Sequence, residues 1–162
     1  MLVDGFKLAE EIRRRNAEHF HILSSVPIPY HYTDNDHKFL NRNIPFIVDP
    51  ETGKVSRVHF NNTDRLPFDH VCIKKMQQLG ESDSTQSILK LYEAFQTFLQ
   101  TMKDEALEYQ FRLEPGRALL FNNHRVLHAR KAFTGERRMC GGYINKEDWI
   151  SRLTVLGEKE TE

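Results

Sequence analysis

Two imidazoles and two guanidiniums lie close together along this chain: His124 and His128, then Arg137 and Arg138. A neutral imidazole offers a nitrogen lone pair to iron, zinc or copper. A guanidinium offers two parallel N–H donors to a carboxylate. A site that binds one borderline cation and one carboxylate needs both. The stretch LLFNNHRVLHARKAFTGERRMCGGY, 119–143, carries them between two strand-like runs, Ala118 to Phe121 and Met139 to Ile144. An imidazole at the end of the first strand is then expected near a guanidinium at the start of the second. Along a strand Arg137 and Arg138 point to opposite faces, so only one of them can serve such a site. Cys140, inside the second run, reads as a small buried hydrophobe.

The elements that must position these groups follow from periodicity and punctuation. Asp4 caps a helix on which Phe6, Leu8, Ala9 and Ile12 share a side. Asn16 caps a second helix, to Leu23, with Phe20 and Leu23 inward. Pro27 and Pro29 enforce extended backbone, and the polar stretch Tyr30 to Asn43 reads as a long loop. Ile44 to Val48 and Lys54 to Phe60 form a hairpin around Asp49-Pro50-Glu51-Thr52-Gly53, with Val58 and Phe60 toward the core and His59 away from it. Asn61 and Asn62 end that hairpin, where two amides can satisfy turn backbone. A short helix covers the region of Val71 to Leu79. Thr85 to Met102 is the clearest helix, with Ile88, Leu91, Phe95, Phe98, Leu99 and Met102 on one stripe and Tyr92 as a further core aromatic. Tyr109 to Leu113 alternates as a strand, Glu114 to Arg117 is a tight turn, and Asn145 caps a last helix anchored by Trp149.

At 162 residues there is room for one domain with a core. The 23 basic and 23 acidic side chains cancel, which gives no electrostatic reason for a nucleic-acid or membrane partner. Two cysteines make no disulfide framework and point to a reducing compartment. No apolar run is long enough to span a bilayer, and nothing after Met1 reads as a signal peptide.

The runs NHRVLHAR and FTGERRMCGGYINKEDWISRLTVLG, with LVDGFKLAEEI near the start and VSRVHFNNTDR in the middle, resemble the carboxy-terminal half of the trimethyllysine dioxygenases. With gamma-butyrobetaine dioxygenase these belong to the Fe(II)- and 2-oxoglutarate-dependent oxygenases of the taurine-dioxygenase type. The resemblance implies a mainly β fold with flanking helices: part of a double-stranded β-helix, or jelly roll. It implies that 1–162 form the C-terminal part of a single oxygenase domain, because the family's His-x-Asp or His-x-Glu pair occurs nowhere in this sequence. It assigns His128 as an Fe(II) ligand, Arg137 as the clamp on the distal carboxylate of 2-oxoglutarate, Tyr143 as part of an aromatic site for a trimethylammonium group, and Asn61 as a polar contact for substrate or cosubstrate. A quaternary cation has no hydrogen to donate, so ring faces are what can recognise it. His124 stands where the family has Trp, and reads as a packing group beside the ligand. The stretch Tyr30 to Asn43 takes the place of a substrate-side lid. The implied activity is hydroxylation of trimethyllysine to its 3-hydroxy form on the way to carnitine, with ascorbate as reductant, in a mitochondrial or cytoplasmic protein able to form a homodimer. The alternatives are a non-catalytic binding domain of the same fold and gamma-butyrobetaine dioxygenase.

Overall fold

The computed structural model describes residues 1–136 and 138–159, which fall into two compact units, Met1–Lys131 and Ala132–Glu162. In the first unit the chain opens with a strand, β1 (Leu2–Asp4), and turns at once into α1 (Gly5–Arg15). Asp4 makes this turn by accepting from Phe6 N at 3.0 Å and Lys7 N at 3.4 Å. The expected helix face is the buried one: Leu8, Ala9 and Ile12 are wholly inside. The basic end of α1 lies in solvent, where Arg14 and Arg15 hold the Glu11 carboxyl down at about 2. Asn16 caps α2 (Ala17–Leu23) through His19 N at 3.0 Å, and Phe20, Ile22 and Leu23 are buried.

The segment expected as a loop is instead a hairpin, β2 (Ile28–Thr33) with β3 (Lys38–Asn43), in register from Ile28 opposite Asn43 to Thr33 opposite Lys38. Its polar composition concealed it. The turn is made by Asp34, whose Oδ1 accepts from Asp36 N at 2.9 Å and His37 N at 2.7 Å. In β2 the half nearest Ile28 is buried and the half toward the tip is exposed, while β3 is exposed along nearly all its length. The second hairpin, β4 (Phe46–Val48) with β5 (Val55–Val58), is the one anticipated, and Gly53 takes the positive φ of 66° that its turn requires. A register shift after Ile47 lets both Val55 and Val58 face inward.

Asp69 caps α3 (His70–Gln78) and Asp83 caps α4 (Ser84–Met102), the long helix read from its apolar stripe. Leu91, Ala94, Phe95 and Phe98 are its buried face, but Tyr92 is half exposed, its ring meeting that of Phe68 in a T-shaped contact at 4.8 Å. An aromatic column, Phe20–Phe46–Phe98–Phe60, ties α2, α4 and the second hairpin together with centroid separations of 5.7, 5.5 and 4.4 Å. The unit closes with β6 (Glu108–Tyr109) and β7 (Val126–His128), which flank β1 antiparallel on either side, so that Leu2 pairs with Tyr109 and with His128.

Among the described residues three small antiparallel sheets accompany five helices, and helix outweighs strand, unlike the mainly β balance expected. The strands anticipated at Ala118 to Phe121 and Met139 to Ile144 do not form, and that at Tyr109 to Leu113 shortens to two residues. Alternation supplies a face, but a strand also needs a neighbouring strand to pair with, and among the described residues the sheets include none there. In the second unit α5 (Lys146–Lys159) follows Asn145 as expected, with Trp149 N donating to Asn145 O at 3.1 Å. Trp149 is 45% exposed and Cys140 is exposed, so neither is the core residue anticipated. No helix among the described residues is long and apolar enough to cross a membrane.

Candidate functional site

A tight turn, Asn122 to Arg125, sets the position of both imidazoles. Asn122 organises it: its Oδ1 accepts from His124 N at 3.0 Å, and its carbonyl accepts from Arg125 N and Val126 N at 3.0 and 2.9 Å. The turn's own carbonyls then anchor two other elements. His124 O accepts from Val58 N of β5, and Arg125 O accepts from Gly5 N of α1, each at 2.8 Å. Arg125 adds a charged tie, its Nη2 donating to Asp4 Oδ2 at 2.6 Å and its Nε to Oδ1 at 3.1 Å. That guanidinium, more than the Phe6 and Lys7 amides, holds the Asp4 carboxyl below its ordinary value against the opposing effect of burial.

A consequence for stability follows, with a definite sign. Asp4 is more acidic folded than unfolded, so its contribution is complete above about pH 4 and is lost as the pH falls through its lowered value. Asp4→Ala is expected to lower the unfolding free energy by about 1–2 kcal/mol near neutral pH, most of it from the helix cap because the ion pair is half in water. In urea titrations the gap between variant and parent should close as the pH is lowered.

Beside the turn lies a cleft of about 450 Å³, lined by residues of β1, β2, β3, the end of β5 and the 122–129 segment. His128 and Asn61, singled out from separate motifs, both line it. His128 Nδ1 is 3.4 Å from Val126 O, and its ring lies 4.8 Å from that of Phe121. A proton on Nδ1 would serve the carbonyl and leave the Nε2 lone pair as the atom that could take a metal ion. Three further histidines line the same cleft: His31, His59 and His124. The His59 and His124 rings meet edge to face at 6.2 Å, and His59 Nδ1 stands 3.2 Å from Ile44 O. Spacing could not reveal this grouping, because it joins three elements far apart in the chain. Its one legible sign was the alternation that turns His59 away from the core.

Tyr30 also lines the cleft wall. It is 7% exposed, and its hydroxyl finds no hydrogen-bond partner among the described residues. Burial pushes the phenol up to about 12, with the Arg65 charge acting in the opposite direction. An orphaned buried hydroxyl costs stability. Tyr30→Phe should therefore raise the unfolding free energy by about 1 kcal/mol, read from the urea midpoint at unchanged slope.

The remaining two assignments are Tyr143 and Arg137. Tyr143 belongs to the second unit, where it is 87% exposed. Arg137 lies outside the described residues, whereas Arg138 is described and exposed. An iron held by two imidazoles and a carboxylate needs three donors at one point. Among the described residues no group of three or more His, Cys, Asp or Glu side chains is placed to hold a metal ion. These residues therefore do not by themselves fit an iron centre.

Comparison with known proteins gives the chain its relatives. It is 38% identical over 157 residues to a trimethyllysine dioxygenase of Neurospora crassa, covering 94% of this chain and 30% of that protein. It is 34% identical over 158 residues to a trimethyllysine dioxygenase of Meyerozyma guilliermondii, covering 96% of this chain and 37% of the relative. A gamma-butyrobetaine dioxygenase of a Pseudomonas species is 30% identical over 157 residues, again covering 95% of this chain and 37% of its own length. The chain thus spans about a third of the length of the curated relatives it matches. The family described as taurine catabolism dioxygenase TauD, TfdA matches residues 1–143. On that match, and on the likeness to named dioxygenases along almost its whole length, this chain belongs to the TauD/TfdA family of dioxygenases.

Proposed function

We propose that this chain forms the C-terminal part of a jelly-roll oxygenase domain that hydroxylates trimethyllysine with Fe(II) and 2-oxoglutarate. The observation that carries the reading is the convergence of His128 and Asn61, more than sixty residues apart in sequence, on one cleft. In this reading His128 contributes one imidazole to an iron whose remaining ligands, a His-x-Asp or His-x-Glu pair, lie outside this sequence. Asn61 contacts bound substrate or cosubstrate. Arg137 clamps the distal carboxylate of 2-oxoglutarate, and Tyr143 presents a ring face to the trimethylammonium group. The choice of trimethyllysine over gamma-butyrobetaine rests on the two fungal relatives, whose identity to this chain exceeds that of the bacterial one. The lack of three converging donors among the described residues favours a second reading, a binding domain of the same fold without turnover.

One assay separates the readings. The chain is joined to an upstream portion carrying the missing pair, and succinate release from 2-oxoglutarate is followed with ascorbate present. Release that needs both Fe(II) and trimethyllysine, and is weaker with gamma-butyrobetaine, is the expected result. Equal or greater release with gamma-butyrobetaine would move the assignment to that substrate. No Fe(II)-dependent release with either would leave the binding domain. The 162-residue chain alone is expected to give no turnover.

A further inference from the structure

We infer that Asp64 is a positioning residue: it fixes the Asn61 side-chain amide so that one N–H, and not its carbonyl, is left for the cleft. The inference rests on the reading that this cleft takes the substrate, and it concerns what Asn61 can recognise there. The Asn61 Oδ1 is already used. It turns back onto its own backbone and accepts from Thr63 N at 2.9 Å and Asp64 N at 3.3 Å. One Nδ2 hydrogen is also used, donated to Asp64 Oδ2 at 2.6 Å. The opposite amide orientation is excluded by chemistry: it would set an NH₂ group against two backbone N–H donors and a carbonyl oxygen against a carboxylate. One Nδ2 hydrogen remains. Asn61 lines the cleft and is exposed, so that hydrogen is the group it has to offer.

The turn that carries this pair does not move independently of the cleft wall. Asp64 O accepts from His31 N at 2.9 Å, and Leu66 N donates to Pro29 O at 3.0 Å. Arg65 forms an antiparallel bridge with Tyr30, and its guanidinium lies over the rings of Phe68 and Phe95 at 5.0 and 5.4 Å. The residues from Asn61 to Leu66 are thereby tied to β2. A donor held this way selects a ligand group with an acceptor oxygen and gives no partner to a ligand N–H or hydroxyl hydrogen. Without the Asp64 carboxylate the two backbone N–H groups still keep Oδ1 turned back, but Nδ2 is no longer held, its remaining N–H is less firmly placed toward an acceptor, and the selectivity weakens.

The test uses the full chain with ¹⁵N label and follows the two Asn61 side-chain amide protons. The probes are propionate as a minimal acceptor, trimethyllysine, and its decarboxylated analogue, 5-(trimethylammonio)pentylamine. In the parent, propionate and trimethyllysine should shift the amide proton that does not bond Asp64, and the analogue should not. Asp64 also lines the cleft and its charge acts on any ionic ligand, so the comparison is made with Asp64→Asn, which removes the same charge: relative to it Asp64→Ala should weaken both carboxylates about tenfold, the value of one hydrogen bond to a charged acceptor, and leave the analogue unchanged. Asp64→Asn keeps an acceptor for Nδ2, which Asp64→Ala lacks. Both variants retain the backbone bonds of residue 64, so the turn survives them. The inference is overturned if no carboxylate moves that proton in the parent, if Asp64→Ala binds carboxylates as Asp64→Asn does, or if it weakens analogue and carboxylates alike relative to Asp64→Asn. Trimethyllysine binding no tighter than propionate, with the Asp64 effect intact, would instead count against the proposed substrate while supporting the positioning role.

Discussion

Phe98→Ala is expected to lower the unfolding free energy of the chain by about 3–5 kcal/mol, the range for emptying a buried aromatic site. Phe98 has no exposed surface and stands mid-column, with Phe46 on one side at 5.5 Å and Phe60 on the other at 4.4 Å. Alanine loses the transfer free energy of the ring and leaves a cavity bounded by rigid rings that cannot collapse into it. The effect should extend to the candidate site, because Phe60 is the residue before Asn61 and its ring rests on Phe98. Urea unfolding measures the first part, as a lower midpoint at unchanged slope. Broadening of the Asn61 side-chain amide resonances measures the second. Phe98→Leu, which keeps much of the volume, should cost about 1–1.5 kcal/mol. A loss below about 1 kcal/mol for the alanine variant would mean that the column does not support the core.

The parts of this fold that were legible in the sequence are those whose stabilising partners are local. Asp4, Asn16 and the stripe from Leu91 to Phe98 announce helices because caps and helical faces are made within a few residues. Asp49 to Gly53 announces a hairpin because Gly53 must take a positive φ. The hairpin between Ile28 and Asn43 was hidden because its turn is made by a side chain, Asp34, rather than by Gly or Pro. The runs at 118–121 and 139–144 have the right composition for strands, but pairing is a long-range property that composition does not carry. The same division holds in the cleft. His128 and Asn61 were found through motifs, and the structure brings both to one cavity. Tyr30 and Asp64 carry no local signature, and His59 only the alternation that turns it from the core. Their significance comes from what folds against them: an unpartnered hydroxyl, a neighbouring imidazole and an amide held in one orientation.

Gly5→Ala should destabilise the chain by about 2–3 kcal/mol, against the usual direction for this change in a helix. Elsewhere in helices alanine is favoured over glycine by about 0.5–1 kcal/mol, because it reduces the freedom of the unfolded chain. Here a Cβ would stand 2.7 Å from the Arg125 carbonyl oxygen and 3.0 Å from Val58 Cγ2. The first of these is backbone, and it is the atom that accepts from Gly5 N at 2.8 Å. Relieving the overlap moves either α1 or the Asn122 to Arg125 turn, and with it the bonds that hold β5 and Asp4 to that turn. The same turn places His124 and leads directly into β7, so the displacement should reach the cleft as well as the core. Gly5→Ala should therefore shift the ring resonances of His124 and His128, while Gly53→Ala, strained at its positive φ but with open space around it, should lower stability without disturbing either. A Gly5→Ala protein as stable as the parent, with both imidazoles unmoved, would show that the close approach of α1 to the turn does not fix the cleft.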